Sequence, residues 1–294
     1  MTCKSFLIRV LPERTEIGEQ HFKTAPMVQL KVKSEGMDDN MSRLNGKAAL
    51  VTGASRGIGK AIAMRLAQEG ALTAVHYGKN REAAEEAVRE IERSGGKAFA
   101  IGAVLDSVQR VESLYAALDE EIRQRTGETG LHILVNNAGI GLAVSIDETS
   151  EKDFDEVMRV NVKMPFFLIQ QVLPRLHDGG RIINLSSATT RISLPAVPAY
   201  SMTKGAINTL TLSLANQLAA RGITINAIQP GFVATDMNAG MLQDPASRQF
   251  GAEFSVFGRW GEPADIADVA AFLASSESRW ITGQCIDASG GSHL

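Results

Sequence analysis

The 294-residue chain has little cysteine, few aromatic residues and no long apolar run. Its two cysteines, Cys3 and Cys285, lie far apart without a C-x-x-C motif, and its five histidines form no cluster with ligand spacing. The sequence therefore predicts neither disulfides nor a metal site. A net charge of −3 excludes a strongly basic surface for nucleic acid or an anionic membrane. No stretch of about 18 apolar residues, the length needed to span a bilayer, occurs.

The N-terminal segment, residues 1–43, differs from the rest of the chain because its charges are scattered and it has no sustained apolar period. Its apolar stretch Phe6-Leu7-Ile8 is interrupted by Arg9 and is too short for the apolar region of a signal peptide. We therefore expect a cytosolic (cytoplasmic) protein with an N-terminal extension that is either flexible or an arm used in assembly. The alternative is that translation starts at Met37 or Met41.

From Asn45 onward, short apolar runs alternate with stretches of helix length. The runs are rich in Val, Ile, Leu and Ala and cover 48–52, 72–76, 97–103, 131–135, 181–185, 223–229 and 284–287. Between them, apolar residues recur three or four positions apart, as at Val111, Leu114, Tyr115, Leu118 and Ile122. Buried strands that alternate with amphipathic helices predict right-handed crossovers and a parallel sheet covered on both faces. Residues 44–294 are therefore predicted to form one α/β doubly wound domain.

A glycine-rich turn, Thr52-Gly53-Ala54-Ser55-Arg56-Gly57-Ile58-Gly59, joins the first predicted strand to a helical pattern. Gly53 permits a sharp turn off the strand, Gly57 a close approach to a pyrophosphate, and Gly59 tight packing of the helix on the sheet. The anion would lie at the helix N-terminus, where backbone N–H groups are free. A tight turn without a ligand is the alternative interpretation.

The spacing T-G-x-x-x-G-x-G resembles that of the short-chain dehydrogenase/reductase family, and the resemblance extends over about residues 45–291. It implies a single-domain Rossmann fold with a seven-stranded parallel sheet and a nicotinamide dinucleotide cofactor. It also implies a homotetramer formed through the helices that carry Phe166, Phe167, Leu210 and Leu214. Within the family, the chain resembles 3-oxoacyl-carrier-protein reductases and glucose-dehydrogenase-like enzymes.

The end of the second strand predicts NADPH rather than NADH. An acidic residue there would bind the ribose 2′-hydroxyl and repel a 2′-phosphate. The chain has no acid after this strand before Glu82, whereas Arg56, Lys79 and Arg81 offer positive charge. The family resemblance implies the same choice, since a basic residue at the position of Arg56 usually accompanies NADP. The alternative is that Arg56 and Lys79 are solvated surface charges.

The segment after the third strand departs from the family pattern. Family members commonly carry an Asp there that binds adenine, and this chain has Val104-Leu105. Adenine recognition must therefore rest on backbone groups or packing, with Asp106 as the alternative contact.

Two further motifs follow the fourth and sixth predicted strands. In Asn136-Asn137-Ala138-Gly139, two amides can hold a central strand against its neighbours, and Gly139 permits the nicotinamide ribose to approach the backbone. The resemblance places this motif beside the cofactor. It places Pro230-Gly231-Phe232-Val233-Ala234-Thr235 against the nicotinamide, with Thr235 and the backbone of Val233 bonding the carboxamide.

Tyr200 and Lys204 are four residues apart in a helical pattern, which puts them on one face, one turn apart. A nearby ammonium lowers the pKa of a phenol, so that Tyr200 can exchange a proton with a carbonyl or alcohol oxygen. By resemblance, Ser187 orients the substrate oxygen, and Asn161 holds a water that links Lys204 to solvent. Without the resemblance, each role has an alternative. Tyr200 and Lys204 could be an exposed aromatic and a solvated lysine, and Asn161 could be a buried core amide.

Residues 236–257 combine apolar side chains with glycines and a proline, which predicts either a mobile lid over an apolar pocket or a short core helix. Leu142, Ala143 and residues 191–197 would form the other walls. Such a pocket favours an alkyl or acyl ketone, and Arg191 is compatible with an anionic head group.

Together these motifs predict an NADPH-dependent carbonyl reductase (EC 1.1.1.-). Hydride would pass between the nicotinamide and a small-molecule ketone or secondary alcohol, with Tyr200 as the proton donor and no nucleic-acid or membrane partner. The alternative is a catalytically silent NAD(P)-sensing binding or scaffold protein. Loss of the tyrosine or the lysine would support that alternative, and both are present.

Overall fold

The computed structural model describes residues 42–293, so the N-terminal extension predicted for 1–43 lies almost wholly outside the described residues. The strands are β1 (Ala48–Val51), β2 (Leu72–Tyr77), β3 (Lys97–Gly102), β4 (Leu131–Asn136), β5 (Leu176–Leu185), β6 (Thr224–Pro230) and β7 (Cys285–Ala288). All neighbouring strands pair in parallel, in the order β3-β2-β1-β4-β5-β6-β7. The seven-stranded doubly wound sheet predicted from the sequence is therefore confirmed.

Helices connect the strands and cover both faces of the sheet. They are α1 (Gly57–Gln68), α2 (Arg81–Arg93), α3 (Val108–Thr126), α4 (Glu151–Met158), α5 (Met164–Val172), α6 (Pro198–Ala219), α7 (Ala239–Gln243), α8 (Pro245–Glu253) and α9 (Pro263–Ala274). Alternate residues of each strand point to opposite faces, which separates two apolar cores. Ala49 and Val51 of β1 belong to the core under α1, α2 and α9. Ala48 and Leu50 belong to the core under α3, α5 and α6.

The helix predicted from the spacing in 111–122 is α3, whose apolar side chains are buried. Tyr115 on this helix is fully buried, and its hydroxyl donates a hydrogen bond of 2.8 Å to the backbone oxygen of Leu168 in α5. A buried phenol needs such a partner because an unpaired buried hydroxyl destabilises the fold. The bond joins two of the helices that cover one face of the sheet.

Two segments differ from the sequence-based expectation. Strand β5 begins at Leu176 rather than near residue 181, and its pairing with β4 shifts register between Leu131 and Ile133. Gly179, with φ of +71°, lies within this strand, although a Gly-Gly pair ordinarily indicates a break. The segment 236–253 contains a 3₁₀ turn followed by α7 and α8. In the described part of the chain, no helix is both long and apolar enough to cross a bilayer.

Candidate active site

The predicted site residues lie at one edge of the sheet, because the carboxyl ends of parallel strands point the same way. The glycine turn follows β1, the Asn-Asn-Ala-Gly motif overlaps the end of β4, and Ser187 follows β5. The Pro-Gly turn follows β6, and Tyr200 and Lys204 lie in the first two turns of α6. The topology thus brings segments that are distant in sequence together at the carboxyl edge of the sheet.

The glycine turn is built around two close contacts. Gly53 has φ of +63°, and a Cβ there would lie 2.9 Å from the Cα of Ala138. A Cβ on Gly59 would lie 2.4 Å from the backbone oxygen of Gly53 and 2.3 Å from Nδ2 of Asn137. Any side chain at either position would force the turn away from β4, so both positions require glycine.

The N-terminus of α1 faces this turn. The N-cap residue Arg56 makes no side-chain hydrogen bond to the first turn of α1, and Gly57 opens the helix with φ of +54°. Backbone N–H groups of an uncapped first turn are available to an anion, and the helix dipole favours negative charge there. The cradle between Ser55 and Gly59 therefore fits the pyrophosphate of a dinucleotide, and Ile58 lies half-buried within it.

Thr52, the first residue of the T-G-x-x-x-G-x-G spacing, connects the glycine turn to β4. Its hydroxyl oxygen accepts hydrogen bonds of 3.0 Å from the backbone N–H groups of Asn137 and Ala138, and it donates to the backbone oxygen of Val135. The Asn137 amide donates in return to the backbone oxygens of Thr52 and Gly53, at 2.8 and 3.0 Å. The predicted strand-holding role of Asn137 is thus visible as contacts. The spacing predicted no role for the Thr52 hydroxyl, because a threonine that ends a buried strand is ordinary.

The basic residues predicted to select the nucleotide are exposed. The Arg56 guanidinium lies 3.6 Å from the carboxylate of Asp236, and their side chains are 74% and 65% exposed. Lys79 is exposed and has no ion-pair partner within residues 42–293. Both side chains are therefore accessible to a phosphate group in solvent. Val104, which replaces the family's Asp, is 38% exposed beyond the end of β3.

Lys204 is buried on the inner face of α6. Its ammonium donates a hydrogen bond of 2.8 Å to the backbone oxygen of Leu185 and lies 5.6 Å from the centre of the Tyr200 ring. Burial lowers the pKa of Lys204 to about 8, because a low-dielectric surrounding disfavours the charged form. The predicted juxtaposition of the phenol and the ammonium on one helix face is therefore present.

Burial raises the pKa of Tyr200, and the neighbouring Ser187 hydroxyl opposes that rise by favouring the phenolate. The net fall in this pKa that the sequence predicts is therefore wrong for this structure, because burial has the larger effect. The backbone N–H of Thr189 donates to the Ser187 hydroxyl at 3.2 Å and fixes its position. Ser186 points elsewhere, as expected, and donates to the backbone oxygen of Lys204.

Asn161 lies in a π-helical turn, Arg159–Lys163, inserted between α4 and α5. Its Oδ1 accepts from the backbone N–H of Ile140, and its Nδ2 donates to the backbone oxygen of Ile140, both at 2.9 Å. Nδ2 also lies 3.2 Å from the hydroxyl of Thr203, beside Lys204. The side chain thus joins the segment after β4 to α6. These contacts match the alternative prediction of a buried, hydrogen-bonded amide at Asn161. π-helical turns often occur at functional sites.

The turn after β6 lies against the glycine turn. A Cβ on Gly57 would lie 3.4 Å from the methyl carbon of Thr235, so these two segments approach closely. Val233 is buried, and a Cβ on Gly231 would lie 2.9 Å from the backbone oxygen of Ser289. Pro230 ends β6 opposite Ala288 of β7. The segment 230–235 is therefore held between the C-terminal strand and the predicted dinucleotide cradle. In the segment after β4, a Cβ on Gly139 would lie 3.1 Å from Oδ1 of Asn161.

Arg191 is not available to an anionic head group. Its guanidinium donates to the backbone oxygen of Ser292 at 2.7 Å and to the Ser289 hydroxyl at 2.9 Å, and it forms an ion pair with Asp287. These contacts therefore do not favour the anionic head group that the sequence left open at Arg191. Arg191 thus holds the loop after Ser187 to the chain at and beyond β7. The paired segments are about a hundred residues apart, so sequence spacing does not predict this contact.

An aromatic cluster lies beside the turn after β6. Phe232 contacts Phe250, Phe254 and Trp260 with ring centres 5.1–6.3 Å apart. The Trp260 indole N–H donates to the backbone oxygen of Arg248 in α8. Met237, at 58% exposure, lies near Gly141 in the segment after β4, so the start of residues 236–257 approaches the Asn-Asn-Ala-Gly turn.

Comparisons with known proteins match this arrangement. A family model described as enoyl-(acyl carrier protein) reductase matches residues 53–293. Among curated proteins, the 3-oxoacyl-[acyl-carrier-protein] reductase FabG of Staphylococcus aureus is 40% identical over 250 residues, which cover 84% of this chain and 98% of FabG. Fold and sequence define an NAD(P)-dependent oxidoreductase. The chain belongs to the short-chain dehydrogenase/reductase family.

Two solved structures are more similar in sequence. LugOII, a promiscuous reductase that catalyses keto-reduction at C1 during lugdunomycin biosynthesis, is 49% identical with a TM-score of 0.82, over 85% of this chain and 98% of LugOII. The angucycline C-6 ketoreductase LanV, solved with bound NADP, is 47% identical with a TM-score of 0.82, over 85% of this chain and 96% of LanV.

Proposed function

We propose that the protein is an NADPH-dependent ketoreductase that moves hydride reversibly between the nicotinamide and a ketone or secondary alcohol. The observation that carries this proposal is the arrangement of Ser187, Tyr200 and Lys204. The serine hydroxyl lies close enough to the phenol to favour its phenolate, and the ammonium lies 5.6 Å from the tyrosine ring. All three stand at the sheet edge where the glycine turn offers its N–H groups. The names of LugOII and LanV support ketone reduction.

Each side chain has a defined task in this reaction. The bound dinucleotide supplies the hydride that adds to the carbonyl carbon. The Ser187 hydroxyl donates a hydrogen bond that orients the carbonyl oxygen beside the phenol. Tyr200 gives its proton to that oxygen as the alcohol forms, and the Lys204 ammonium stabilises the phenolate left behind. Alcohol oxidation uses the same groups in reverse.

Return of the proton to Tyr200 is proposed to run through Lys204 and a water at Asn161. The Asn161 amide is occupied by Ile140 and Thr203. Its contribution is therefore to hold the π-helical turn and the start of α6 in register, so that backbone groups of this turn receive the water. Replacing Asn161 by Ala should slow turnover at saturating substrate, and proton-inventory measurements in mixed heavy water would report the relay.

The preference for NADPH is proposed to rest on Arg56, with Lys79 as a second cation. Arg56→Ala should lower kcat/KM with NADPH by about 10- to 100-fold, the range for a lost hydrogen bond between charged groups, and leave that with NADH unchanged. Arg89→Ala is the matched control, because Arg89 is an exposed arginine of α2, paired with Glu86, that is not among the predicted nucleotide contacts. Higher wild-type efficiency with NADH than with NADPH would overturn the preference.

The substrate is proposed to be a ketone on an apolar, fused-ring small molecule rather than an acyl chain on a carrier protein. Identity to LugOII and LanV is 49% and 47%, against 40% to the carrier-protein reductase. The half-buried Phe232 and the exposed Phe250 and Met237 offer apolar surface beside the site. The occupied Arg191 offers no free cation to a phosphopantetheine-type group.

A panel of ketones followed by the absorbance of the reduced nicotinamide tests the function. Fused-ring aromatic ketones should give higher kcat/KM than acetoacetyl thioesters and simple alkyl ketones. A protein that binds NADPH but reduces no ketone and oxidises no alcohol would be the dinucleotide-sensing alternative instead.

The protein is further proposed to act as a homotetramer. Phe166 on α5 and Met202 and Leu212 on α6 are 46%, 57% and 67% exposed, which leaves apolar side chains on the helices predicted to form an interface. Light scattering should give the mass of four chains, and a monomer would reject this assembly.

A further inference from the structure

His76 of β2 is buried beneath the glycine turn, with 2% of its surface exposed. Its Nδ1 accepts a hydrogen bond of 3.1 Å from the backbone N–H of Gly53. Its Nε2 lies 3.0 Å from the backbone oxygen of Ala103. The backbone oxygen of His76 also accepts from the N–H of Ala54 at 2.8 Å. One residue therefore binds both the turn after β1 and the segment after β3.

These partners select one form of the imidazole. A backbone N–H can only donate, so Nδ1 must be the unprotonated nitrogen. A carbonyl oxygen can only accept, so Nε2 must carry the proton. The neutral Nε2–H tautomer satisfies both, whereas a charged ring would set two N–H groups against each other at Gly53. Burial lowers the pKa of His76 to about 4, in agreement with a neutral ring.

The two anchored segments are walls of the predicted dinucleotide site. Gly53 is the left-handed residue at which the chain leaves β1, packed against Ala138. Ala103 precedes Val104, the position at which an adenine contact is expected. The imidazole thus spans the interval between the pyrophosphate end and the adenine end of the site, and the mechanism above does not use it.

We propose that His76 is a positioning residue for dinucleotide affinity, which holds the glycine turn and the segment after β3 at the spacing that the cofactor requires. The inference rests on the proposed dinucleotide site and adds a residue that touches no reacting atom. Its effect should fall on binding rather than on the chemical step, because Ser187, Tyr200 and Lys204 are anchored through β5 and α6 instead.

Two polar variants separate the contacts. His76→Asn keeps an acceptor near the position of Nδ1, so the Gly53 bond can re-form. His76→Gln places its amide near the position of Nε2, which favours Ala103 and leaves the Gly53 N–H unpaired. In fluorescence titrations, the Kd for NADPH should rise about tenfold in His76→Gln and stay within about threefold of wild type in His76→Asn, as expected for one hydrogen bond. The kcat at saturating cofactor should change less than twofold in both.

His132 provides a matched control. Its Nδ1 accepts a hydrogen bond of 3.1 Å from the backbone N–H of Ala48, at the opposite end of β1. Its pKa is lowered to about 4, mainly by burial. His132→Gln should lower thermal stability as His76→Gln does but leave the Kd for NADPH unchanged.

The outcomes are distinct. An unchanged Kd in folded His76→Gln, or an equal loss of affinity in His132→Gln, overturns the positioning role. A wild-type protein that binds neither NADPH nor NADH overturns the proposed function and this inference together. A selective rise of the Kd in His76→Gln, rescued in His76→Asn, supports the inference.

Discussion

The ammonium of Lys204 donates a hydrogen bond to the backbone oxygen of Leu185, the last residue of β5. This bond ties the second turn of α6 to the strand end, and Ser187 follows just beyond. Tyr200, one helical turn earlier, is thereby held beside Ser187. In the proposed reaction, a buried lysine anchored to a strand end therefore sets the geometry in which the phenol and the serine hydroxyl would meet one substrate oxygen.

The buried Lys204 predicts a fall in activity at alkaline pH. Its pKa is lowered to about 8 by burial, so the ammonium is present below that pH and lost above it. The kcat/KM for the ketone at saturating NADPH includes the proton transfer, and it should fall roughly tenfold per pH unit above about pH 8. Tyr200 contributes no fall in this range, since its own pKa is raised. A flat profile to about pH 10 would contradict the role of the ammonium.

Gly59→Ala tests the packing of α1 on the glycine turn. The added methyl would meet the Gly53 oxygen at 2.4 Å and the Asn137 amide at 2.3 Å. Unfolding experiments should show a loss of about 1–3 kcal/mol, as for other overpacked sites, together with a weaker NADPH affinity. Gly205→Ala is the control, because a Cβ there meets nothing within 4 Å. It should be neutral or stabilise α6 by up to about 1 kcal/mol. Equal stability of the two variants would refute the close approach.

Replacing Arg191 by Met separates a structural from a substrate-binding role. The change removes the contacts to Asp287, Ser289 and Ser292 and should lower the free energy of unfolding by about 1–3 kcal/mol. The ratio of kcat/KM between an anionic ketone and its neutral ester should stay the same, because the guanidinium is already engaged. A selective loss of the anionic substrate would restore Arg191 as a head-group contact.

The buried imidazole of His76 makes stability depend on pH. Its folded-state pKa of about 4 lies below the ordinary histidine value of 6.5, so the unfolded chain takes up a proton between these values and stability falls as the pH falls. Between about pH 7.5 and 5.5, His76 should remove about 1 kcal/mol of stability. The advantage of wild type over His76→Asn in urea unfolding should shrink by that amount. A constant difference would mean that the buried ring does not stay neutral.

Patterns that are local in sequence predicted much of the site. The spacing of Gly53, Gly57 and Gly59 and the i, i+4 pair Tyr200 and Lys204 depend only on helix and turn geometry, so they were readable. The periods of the strands and helices predicted the sheet for the same reason. None of these predictions depends on which strands become neighbours in the sheet.

Contacts between segments that are distant in sequence could not be predicted from the sequence. Thr52 reaches Asn137, His76 reaches Gly53 and Ala103, and Arg191 reaches Ser292 only because the sheet order makes them neighbours. Burial at Tyr200 likewise follows from packing, and it reversed the expected direction of the pKa change. Threonine, histidine and arginine are common at strand ends and in loops, so their residue types alone gave no signal.

The proton transfer by Tyr200 is the central claim, and Tyr200→Phe tests it most directly. The substitution removes one hydroxyl and keeps the ring beside Lys204. Ketone reduction with NADPH should fall by about 10²–10⁴-fold, the contribution of a positioned acid, while the Kd for NADPH stays within about threefold of wild type. Near-wild-type turnover of Tyr200→Phe would contradict the account.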